Sequence, residues 1–170
     1  MAILPITQLG NPVLRKKAEP VSKITAREKK LIQDMIDTMY FAEGVGLAAN
    51  QVGVSQRVII ISPTYKRGEE VAIINPEILS QSGNATEREG CLSVPGFTGK
   101  VTRSNRLQLK GLTADGEPRL WELEGFAAVI VQHEVDHING HLFIDRLKSL
   151  EKRRVEKWLR EREETFGAGQ

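Results

Sequence analysis

Apolar residues recur at helical spacing over residues 25–44, "TAREKKLIQDMIDTMYFAEG". They lie three or four positions apart and form one face of the predicted helix: Leu31, Ile32, Met35, Ile36 and Met39. Thr25 and Glu28 have the spacing of a capping box, which predicts the first turn, and Gly44 predicts the end. The pattern therefore predicts an amphipathic helix near the N-terminus.

Two later stretches also predict helices. In residues 124–140, "EGFAAVIVQHEVDHING", Glu124 stands near the predicted start and Gly140 at a predicted left-handed stop. The end of the chain predicts a C-terminal helix over residues 148–166, surrounded by mixed charge. Its apolar residues cluster on one side: Leu147, Leu150, Val155, Trp158 and Leu159.

Short apolar runs between these helices predict strands. Residues 57–61 (RVIII) and 71–75 (VAIIN) predict two buried strands. Residues 106–112 and 119–124 alternate in character around "TADGEP", which is a hairpin signal. Strands and helices come in blocks rather than in strict alternation. We therefore expect an α+β fold, in which the helix of residues 124–140 packs against antiparallel β-sheets, with an N-terminal and a C-terminal helix.

Size and charge narrow the class of protein. The chain has 170 residues, 40% of them hydrophobic, so we expect residues 1–170 to form a single catalytic domain with one core. Twenty-four Lys and Arg against 22 Asp and Glu give a net charge of +2, which argues against a direct role on DNA. The apolar runs are too short to span a bilayer, so no membrane role is expected.

The expected compartment follows from the cysteine content and from the start of the chain. Cys91 is the single cysteine, which excludes an intrachain disulfide and suits a reducing environment. The first twenty residues have no basic region followed by an apolar one, the pattern of a signal peptide. We expect a soluble protein of the bacterial cytoplasm, or an organellar one after processing.

The run "HEVDH" within the second predicted helix suggests a metal site. His133 and His137 lie one turn apart on the same face, so both imidazoles can reach one ion. Glu134 points about 100° away from His133, where it can act as a general base on a water molecule. The alternative is that the two histidines are packing residues and the acids belong to a solvated face. HExxH inside an otherwise apolar helix favours the metal.

A catalytic metal on such a helix usually needs a third protein ligand, and several residues are candidates. Metzincin proteases continue HExxHxxGxxH, but Phe143 stands here at the last histidine position and cannot bind a metal. His141 lies beyond the predicted helix stop and is expected to be an exposed loop residue. The later glutamates stand among basic residues, as the charges of a solvated helix do: Glu151, Glu156 and Glu161.

Cys91, in "EGCLSVPG", is the upstream candidate. A lone cysteine is more often buried packing than a ligand. This one lies in a Gly-, Ser- and Pro-rich stretch that is predicted to be a loop, and a thiolate would complete a site of one sulfur and two imidazoles. A nucleophilic Cys–His pair is the competing use. That use would leave Glu134 and the second histidine without a role.

A third stretch is rich in small residues: "GVGLAANQVG", residues 44–53. Small residues allow a backbone or a ligand to approach closely. The stretch lacks the GxGxxG spacing and the lysine of phosphate-binding loops, which argues against a nucleotide. Gln51 ends the run with an amide that can donate to an oxyanion. A tight packing turn with a surface glutamine is the alternative.

Taken together, "GVGLAANQ" (44–51), "EGCLS" (89–93) and "HEVDH" (133–137) resemble the three signature motifs of the peptide deformylase family. The resemblance runs from the N-terminus to about residue 150. It implies that one divalent metal is bound by Cys91, His133 and His137. Fe(II) is the native metal in the family, with Zn, Ni or Co as substitutes.

The resemblance also implies a reaction: removal of the N-formyl group from the formyl-methionine of nascent polypeptides, with release of formate. Water activated by the metal would attack the formyl carbon, with Glu134 as general base and then as general acid toward the leaving amine. The side-chain amide of Gln51 and the backbone N–H of Leu92 would hold the oxyanion.

Substrate contacts are implied by the same resemblance. The backbone at Gly44, Val45 and Gly46, together with Gly90, would pair with the substrate as an added strand. Close small residues would also exclude acyl groups larger than formyl. The methionine side chain needs an apolar pocket, for which the candidates are Val45, Phe126, Val129 and Ile130. For the last three, plain core packing is the alternative.

Other expectations concern charged residues and rival functions. Arg103, Asp136 and Glu43 are candidates for charged groups that support the site. Seven Lys and Arg against five Glu in the C-terminal helix make a ribosome contact one expectation and a solvated helix the other. An HExxH metallopeptidase, which Phe143 disfavours, and an inactive relative that binds metal or peptide are the rival functions.

Overall fold

The structure is a computed structural model that describes residues 2–167, with side chains described up to residue 163. The helices are α1 (Ala26–Phe41), α2 (Phe126–Ile138) and α3 (Ser149–Gly167). The strands are β1 (Gly46–Ala48), β2 (Val58–Ile61), β3 (Val71–Ser82), β4 (Ala85–Cys91), β5 (Val94–Arg103), β6 (Arg106–Leu112) and β7 (Pro118–Glu124). Five strands form one antiparallel sheet in the order β1-β2-β3-β6-β7, and β4 pairs with β5 as a separate ribbon. The expected α+β fold is confirmed.

The sequence of β2 is apolar throughout because both faces of the strand are buried. Ile59 and Ile61 point to the side of the sheet that α2 covers, in a cluster with Ala128 and Val131 of that helix. The alternate positions belong to a second cluster, with the methionines of α1: Val58, Ile60, Met35 and Met39. The sheet is therefore held between α2 and α1, and α2 carries the two histidines into the interior.

α1 begins as the capping box predicts and ends earlier than expected. Thr25 is the N-cap, and its backbone N–H donates to Glu28 Oε2 at 2.9 Å. The last helical residue is Phe41, and the left-handed residue that follows is Glu43, with φ 58°. The predicted stop at Gly44 is therefore wrong. Gly44 instead lies where a Cβ would come within 2.9 Å of Leu92 Cδ1.

β3 is much longer than the predicted run of residues 71–75. The run ends before Pro76, which lacks an N–H and usually ends a strand or marks an irregularity. Here the register shifts between Ile74 and Glu77, and the strand continues to Ser82 alongside β6. Asn75 takes a left-handed φ of 53° at this point, and its side chain forms two hydrogen bonds of 2.9 Å with the backbone of Val21.

The β4–β5 ribbon contains Cys91, and the expectation of a loop around this residue was wrong. Cys91 is the last residue of β4 and pairs with Val94, so residues 92–93 form a two-residue hairpin turn. The buried face of β5 alternates with polar residues along the strand and includes Phe97, Gly99 and Val101. Because a glycine interrupts this apolar alternation, the strand is hard to recognise from the sequence.

α3 packs under the ribbon through fewer apolar residues than predicted. Val155 is buried, and the Trp158 ring lies 5.4 Å from that of Phe97. Leu150 is 77% exposed, so its assignment to the packed side is wrong. Leu147 is buried but precedes the helix. α3 therefore supports the ribbon that carries Cys91.

Within residues 2–167, no helix combines the length and the apolar character that a crossing of the bilayer requires.

Candidate metal centre

Three side chains from two motifs converge beside the central sheet. Cys91 comes from the end of β4, and His133 and His137 come from successive turns of α2. Cys91 Sγ lies 3.2 Å from His137 Nε2, which lies 3.2 Å from His133 Nε2. One possible ligand atom from each residue falls within 4.8 Å of the other two. The structure thus brings together the three residues that the resemblance implied as ligands.

The donor set fits a divalent metal. A tetrahedral ion with ligands at about 2.0–2.3 Å holds neighbouring ligand atoms roughly 3.3–3.8 Å apart, close to the two separations of 3.2 Å that involve His137. One sulfur and two imidazole nitrogens leave the fourth position open, as catalytic sites do. Zinc, iron, cobalt and nickel all accept such a set. The geometry supports a single metal without choosing among these elements.

His133 is oriented by a carboxylate that sequence reasoning missed. Its Nδ1–H donates to Glu89 Oε1 at 2.9 Å, which turns Nε2 toward the cluster. Burial lowers the pKa of His133, but hydrogen bonds to Cys91 and Glu89 and the charge of Glu134 outweigh it and raise the pKa to about 10. The metal-free ring is therefore protonated, and metal binding releases this proton.

His137 is held neutral at the back of the site. Its side chain is fully buried, and its backbone carbonyl accepts a hydrogen bond from Asn50 Nδ2. Burial, together with the charges of His133 and Arg103, keeps the pKa of His137 well below its usual range. A neutral imidazole is the form that binds a metal, so this ring is ready to act as a ligand.

Arg103 ties the carboxylate behind His133 to the helix. Arg103 is buried, and its Nε and Nη2 donate to the two oxygens of Glu89 at 2.6 and 2.9 Å. Its Nη1 donates to Asp136 Oδ2 at 2.9 Å, and Arg146 Nε donates to the same oxygen at 2.6 Å. The expected charged support is therefore present for Arg103 and Asp136. Glu43 lies exposed on the rim of the cleft and takes no part in this network.

Glu134 places an unpartnered carboxylate beside the cluster. The side chain is buried, and Oε2 has no hydrogen-bond partner among the described residues. Its Oε1 lies 3.9 Å from His133 Nε2. Burial raises the pKa of Glu134 to about 7, a value suited to taking up and releasing a proton near neutral pH.

A glycine makes room for this carboxylate. A Cβ built on Gly46 would lie 2.7 Å from Glu134 Oε1 and 2.9 Å from Ile130 Cγ2. Both distances are too short for real contacts, so any larger residue would displace Glu134 or the strand. The small-residue stretch therefore brings the backbone of β1 against the carboxylate.

Gln51 has an amide whose orientation is fixed by the backbone. Its Oε1 accepts from Ala48 N–H at 2.9 Å, so Nε2 faces the cluster. That nitrogen donates to Cys91 Sγ at 3.5 Å and to Ser93 Oγ at 3.2 Å. Gln51 is buried rather than exposed, which excludes the surface-glutamine alternative. Leu92 lies in the adjacent hairpin turn, directly after Cys91.

A cleft of about 650 Å³ opens beside these groups. The residues predicted from the sequence that line it are Gly44, Val45, Gly46, Gln51, Gly90, Cys91, Leu92, Phe126, Val129, Ile130, His133 and Glu134. His137 lies behind them in the interior. Phe126 is 53% exposed, whereas Val129 and Ile130 are buried. Ile130 also packs in the core beneath the sheet, so packing and cleft lining coexist at this position.

Further cleft residues were not predicted from the sequence. Glu89 lies two positions before Cys91, and the period of a strand would have placed both on one face. The glycine and charged residues of this stretch predict a loop, which conceals the strand period. Arg88 and Thr98 also line the cleft, and Ser93 contacts the amide of Gln51.

Comparisons with known proteins agree on one family. The family model described as polypeptide deformylase matches residues 3–153. A peptide deformylase of Halothermothrix orenii is 50% identical over 147 residues, which cover 86% of this chain and 95% of that protein. Among solved structures, the Legionella pneumophila peptide deformylase is 43% identical with a TM-score of 0.86, covering 95% of this chain and 98% of that one. The Plasmodium falciparum enzyme is 36% identical with a TM-score of 0.90, covering 96% and 97%.

Proposed function

This chain belongs to the polypeptide deformylase family, and on that premise we propose that Glu134, Gln51 and Leu92 carry the chemistry of its active site. The chain is a hydrolase that removes the N-formyl group from the formyl-methionine of nascent polypeptides and releases formate. One observation carries the assignment of residues. The unpartnered carboxylate of Glu134 lies in the same cleft as the three converging ligand atoms.

Cys91, His133 and His137 would hold one divalent metal. When bound, such a metal polarises the formyl oxygen and lowers the pKa of a water molecule in the site. We propose Fe(II) as the native metal, with Zn, Ni or Co as substitutes. The proposal draws on the family and on a donor set that all four accept. Glu89 would keep the Nε2 of His133 turned toward the metal.

Glu134 moves the protons of the reaction. Its carboxylate takes a proton from the attacking water as the oxygen of that water bonds to the formyl carbon. The same group then passes the proton to the amide nitrogen as the carbon–nitrogen bond breaks, which yields a free methionine amine and formic acid. Formic acid loses its proton to the solvent and leaves as formate. A carboxylate with a pKa of about 7 in the metal-free site suits both transfers.

Gln51 and Leu92 hold the negative charge that develops on the formyl oxygen. The Ala48 N–H fixes the amide of Gln51, so its Nε2 donates without reorganising during the reaction. The backbone N–H of Leu92, directly after Cys91 in the hairpin turn, is the second donor that we assign to this oxygen. A donor of this kind is worth about 100- to 1,000-fold in rate.

The substrate backbone lies as an added strand between two parts of the cleft. Gly44, Val45, Gly46 and Gly90 all line the cleft, and we assign the first three to one side of the substrate and Gly90 to the other. Backbone pairing tolerates many side chains, as an enzyme that acts on most nascent chains requires. Phe126 and Val129, with the other apolar residues of the cleft, receive the methionine side chain.

Three buried clusters share the strands and helices around this cleft, which supports one catalytic domain over residues 1–170.

Formate release tests the assignment. The protein is purified without oxygen, its metal is assayed, and formate is measured from formyl-Met-Ala-Ser. We expect rapid release by the parent and a loss of about 100- to 10,000-fold in Glu134→Gln, with the metal retained. Glu156→Gln is the matched control, because the same chemical change falls on an exposed residue of α3. Full activity in Glu134→Gln would remove this residue from the mechanism.

The same preparation separates the rival functions. Cleavage of an internal peptide bond in an unformylated peptide would favour a metallopeptidase. Binding of formyl peptides without formate release by the metal-loaded parent would favour an inactive relative. Phe143, at the position of the missing third histidine, is buried and stacks on the His133 ring with centroids 6.1 Å apart. This packing role argues against the metzincin arrangement.

We also propose that α3 contacts the ribosome through its exposed basic residues. Lys152, Arg153, Lys157 and Arg160 are exposed on this helix. Truncation at Ser149 would remove the buried Val155 and Trp158 contacts, so neutralising substitutions are the cleaner test. Lys152→Gln with Arg160→Gln should weaken ribosome binding, and more at low salt than at high salt. Unchanged affinity would leave α3 as a support for the β4–β5 ribbon.

A further inference from the structure

The outer face of the β4–β5 ribbon carries two adjacent basic residues beside the cleft. Arg88 on β4 pairs directly with Lys100 on β5, so their side chains leave the ribbon on the same face. Both residues are exposed, and Arg88 lines the cleft. Like charges directly opposite one another on a ribbon are unfavourable, so an anion bound between them would relieve this repulsion.

The carboxylates near this pair are turned elsewhere. Glu87 and Glu89, which flank Arg88 on the strand, leave the ribbon on its other face. Glu89 is buried, where its carboxylate accepts hydrogen bonds from Arg103 and His133. Among the described residues, neither Arg88 nor Lys100 takes part in a salt bridge. The positive face is therefore open to an anion from outside the chain.

Arg88 is held so that one edge of its guanidinium remains available. Its Nη1 donates to the Thr98 hydroxyl at 3.2 Å and to the Thr98 carbonyl at 3.4 Å. These contacts fix the group at the rim, while Nε and Nη2 make no hydrogen bond within the described residues. Two adjacent N–H donors match the two oxygens of a carboxylate.

The distance between Arg88 and Cys91 determines which residue of the substrate lies near the Arg88 guanidinium. Arg88 precedes Cys91 by three positions on β4, or about 10 Å along an extended chain. A substrate with its formyl group at Cys91 and its backbone along Gly90 covers the same distance in about three residues. The residues just after the methionine therefore pass Arg88.

We propose that Arg88, supported by Lys100, is a specificity determinant that favours formyl-Met peptides with an acidic side chain at the third residue. This inference rests on the proposed function, because it takes the peptide to lie along the cleft with its formyl group at the metal. An exposed ion pair of this kind contributes at most about 1 kcal/mol, so the expected preference is about threefold to fivefold. It acts on binding and leaves the chemical step unchanged.

The test compares two peptides that differ only in charge: formyl-Met-Ala-Glu-amide and formyl-Met-Ala-Gln-amide. The amide end removes the terminal carboxylate as a second anion. In the parent, kcat/KM should favour the Glu peptide about threefold to fivefold, chiefly through KM. The preference should shrink as salt rises from about 0.05 to 0.5 M, because screening weakens exposed pairs.

Three variants test whether Arg88 causes the preference for the Glu peptide. Arg88→Gln should abolish the preference, so that the Glu and Gln peptides have similar kcat/KM values, and Arg88→Lys should keep part of it. Arg27→Gln is the matched control, since it removes the same charge from an exposed position in the first turn of α1. A parent that treats both peptides alike, or a preference that survives Arg88→Gln, would overturn the proposal.

Two further measurements separate the other outcomes. Hydrolysis of the neutral Gln peptide reports the proposed function alone, so its absence is a failure of that function. In that case, dissociation constants of the two peptides for the Glu134→Gln protein still test Arg88 directly, and equal values would overturn the proposal. A lack of Glu preference combined with weaker ribosome binding by Arg88→Gln would also overturn it, and would identify RNA phosphate as the anion.

Discussion

At the scale of single residues, the tightest packing in the site is that of the Glu134 carboxylate against the backbone of Gly46. Glu134 Oε1 and Ile130 Cγ2 occupy the space that a Cβ on Gly46 would need, at 2.7 and 2.9 Å. The proton transfers proposed for Glu134 require its carboxylate to be held to within a fraction of an ångström. The absence of a side chain at Gly46 is therefore needed for Glu134 to lie where it does.

Gly46→Ala should therefore lower activity without unfolding the protein. The added methyl group displaces the carboxylate of Glu134, and a displacement of about 1 Å costs on the order of 100-fold in rate. We expect this loss in kcat for formyl-Met-Ala-Ser, with metal content close to that of the parent. Urea unfolding measured in parallel distinguishes a displaced catalytic group from a destabilised protein. Unchanged kcat in a folded variant would show that the strand can move aside.

Glu89→Gln should weaken metal binding. The carboxylate of Glu89 accepts from His133 Nδ1 and is itself held by Arg103. Loss of a partner that orients a ligand typically costs about 10- to 100-fold in metal affinity. Competition with a chelator measures the affinity directly. Glu87→Gln, an exposed neighbour on the same strand, should retain the affinity of the parent. Equal affinities in the two variants would count against the role of Glu89.

Some residues of the site could be predicted from the sequence, and others could not, for a physical reason. His133, Glu134 and His137 fall within five consecutive positions on a regular helix, so their relative placement follows from helical geometry. Cys91 could be proposed because a catalytic zinc-type site lacks one ligand without it. Arg103 reaches Glu89 and Asp136 only through the folding of three separate elements. Contacts of that kind leave no local spacing to recognise.

At the scale of elements, the hydrophobic periodicity of the sequence predicted helices and strands correctly where one face of the element is uniformly apolar. β6 (Arg106–Leu112) has the predicted bounds, and α2 ends before Gly140, which takes the predicted left-handed φ of 84°. β4 and β5 were missed because glycines and exposed polar residues fill a ribbon that packs on one side only. The end of α1 was predicted too late, at Gly44, because Glu43 adopts the left-handed conformation instead and the helix ends at Phe41.

The capping box of α1 supports a prediction on stability. Thr25→Ala removes the hydroxyl that accepts from the Arg27 N–H and donates to Glu28. Loss of such a cap lowers the free energy of unfolding by about 1 kcal/mol. Urea unfolding of parent and variant measures the difference. A variant as stable as the parent would mean that packing of α1 alone fixes its first turn.

The same box makes part of the stability depend on pH. Hydrogen bonds from the hydroxyl and the N–H of Thr25 lower the pKa of Glu28 from 4.5 to about 2. Because the folded pKa is depressed, this contribution is complete above pH 4.5 and is lost as the pH falls toward 2. The stability gap between parent and Glu28→Gln should narrow over that window. Glu156→Gln, at an exposed position on α3, is the matched control.

At the scale of the whole molecule, the N-terminal segment ties two of the motifs together. The Thr7 N–H donates to the Gln51 carbonyl at 2.7 Å, and the Leu9 N–H donates to the Ser93 carbonyl at 2.8 Å. These bonds bridge the small-residue stretch and the hairpin turn after Cys91, which belong to different sheets. The relative position of Gln51 and Leu92, the proposed oxyanion donors, therefore depends on a segment that contributes no side chain to the cleft.

Arg103 performs the corresponding role on the other side of the site. It begins at the end of β5, binds Glu89 on β4, and reaches Asp136 on α2, so one guanidinium joins the ribbon to the metal-binding helix. Burial lowers the pKa of Arg103, but its bonds to Glu89 outweigh that effect and raise it, so the group stays charged. The network is thus a buried charge cluster in which every member depends on the others.

Arg103→Leu should strongly destabilise the fold. It leaves Glu89 with His133 as its only described partner and weakens the hold on Asp136, and removing one member of a buried charge network costs about 3–5 kcal/mol. Arg106→Gln is the matched control. Its bond to Glu124 is 3.2 Å long, but the two side chains are 69% and 72% exposed, so its loss should cost less than about 1 kcal/mol.

Urea unfolding of the metal-free proteins measures both changes, and addition of metal separates the fold from the site. If Arg103→Leu does not fold, Arg103→Lys provides the comparison, because a single ammonium keeps the charge but cannot bridge both carboxylates in the same way. We expect Arg103→Lys to fold with reduced stability and weaker metal binding. A loss as small as that of Arg106→Gln would mean that Glu89 and Asp136 are held by His133 and Arg146 alone. The ribbon and α2 would then be joined at the site by the metal ligands rather than by the arginine.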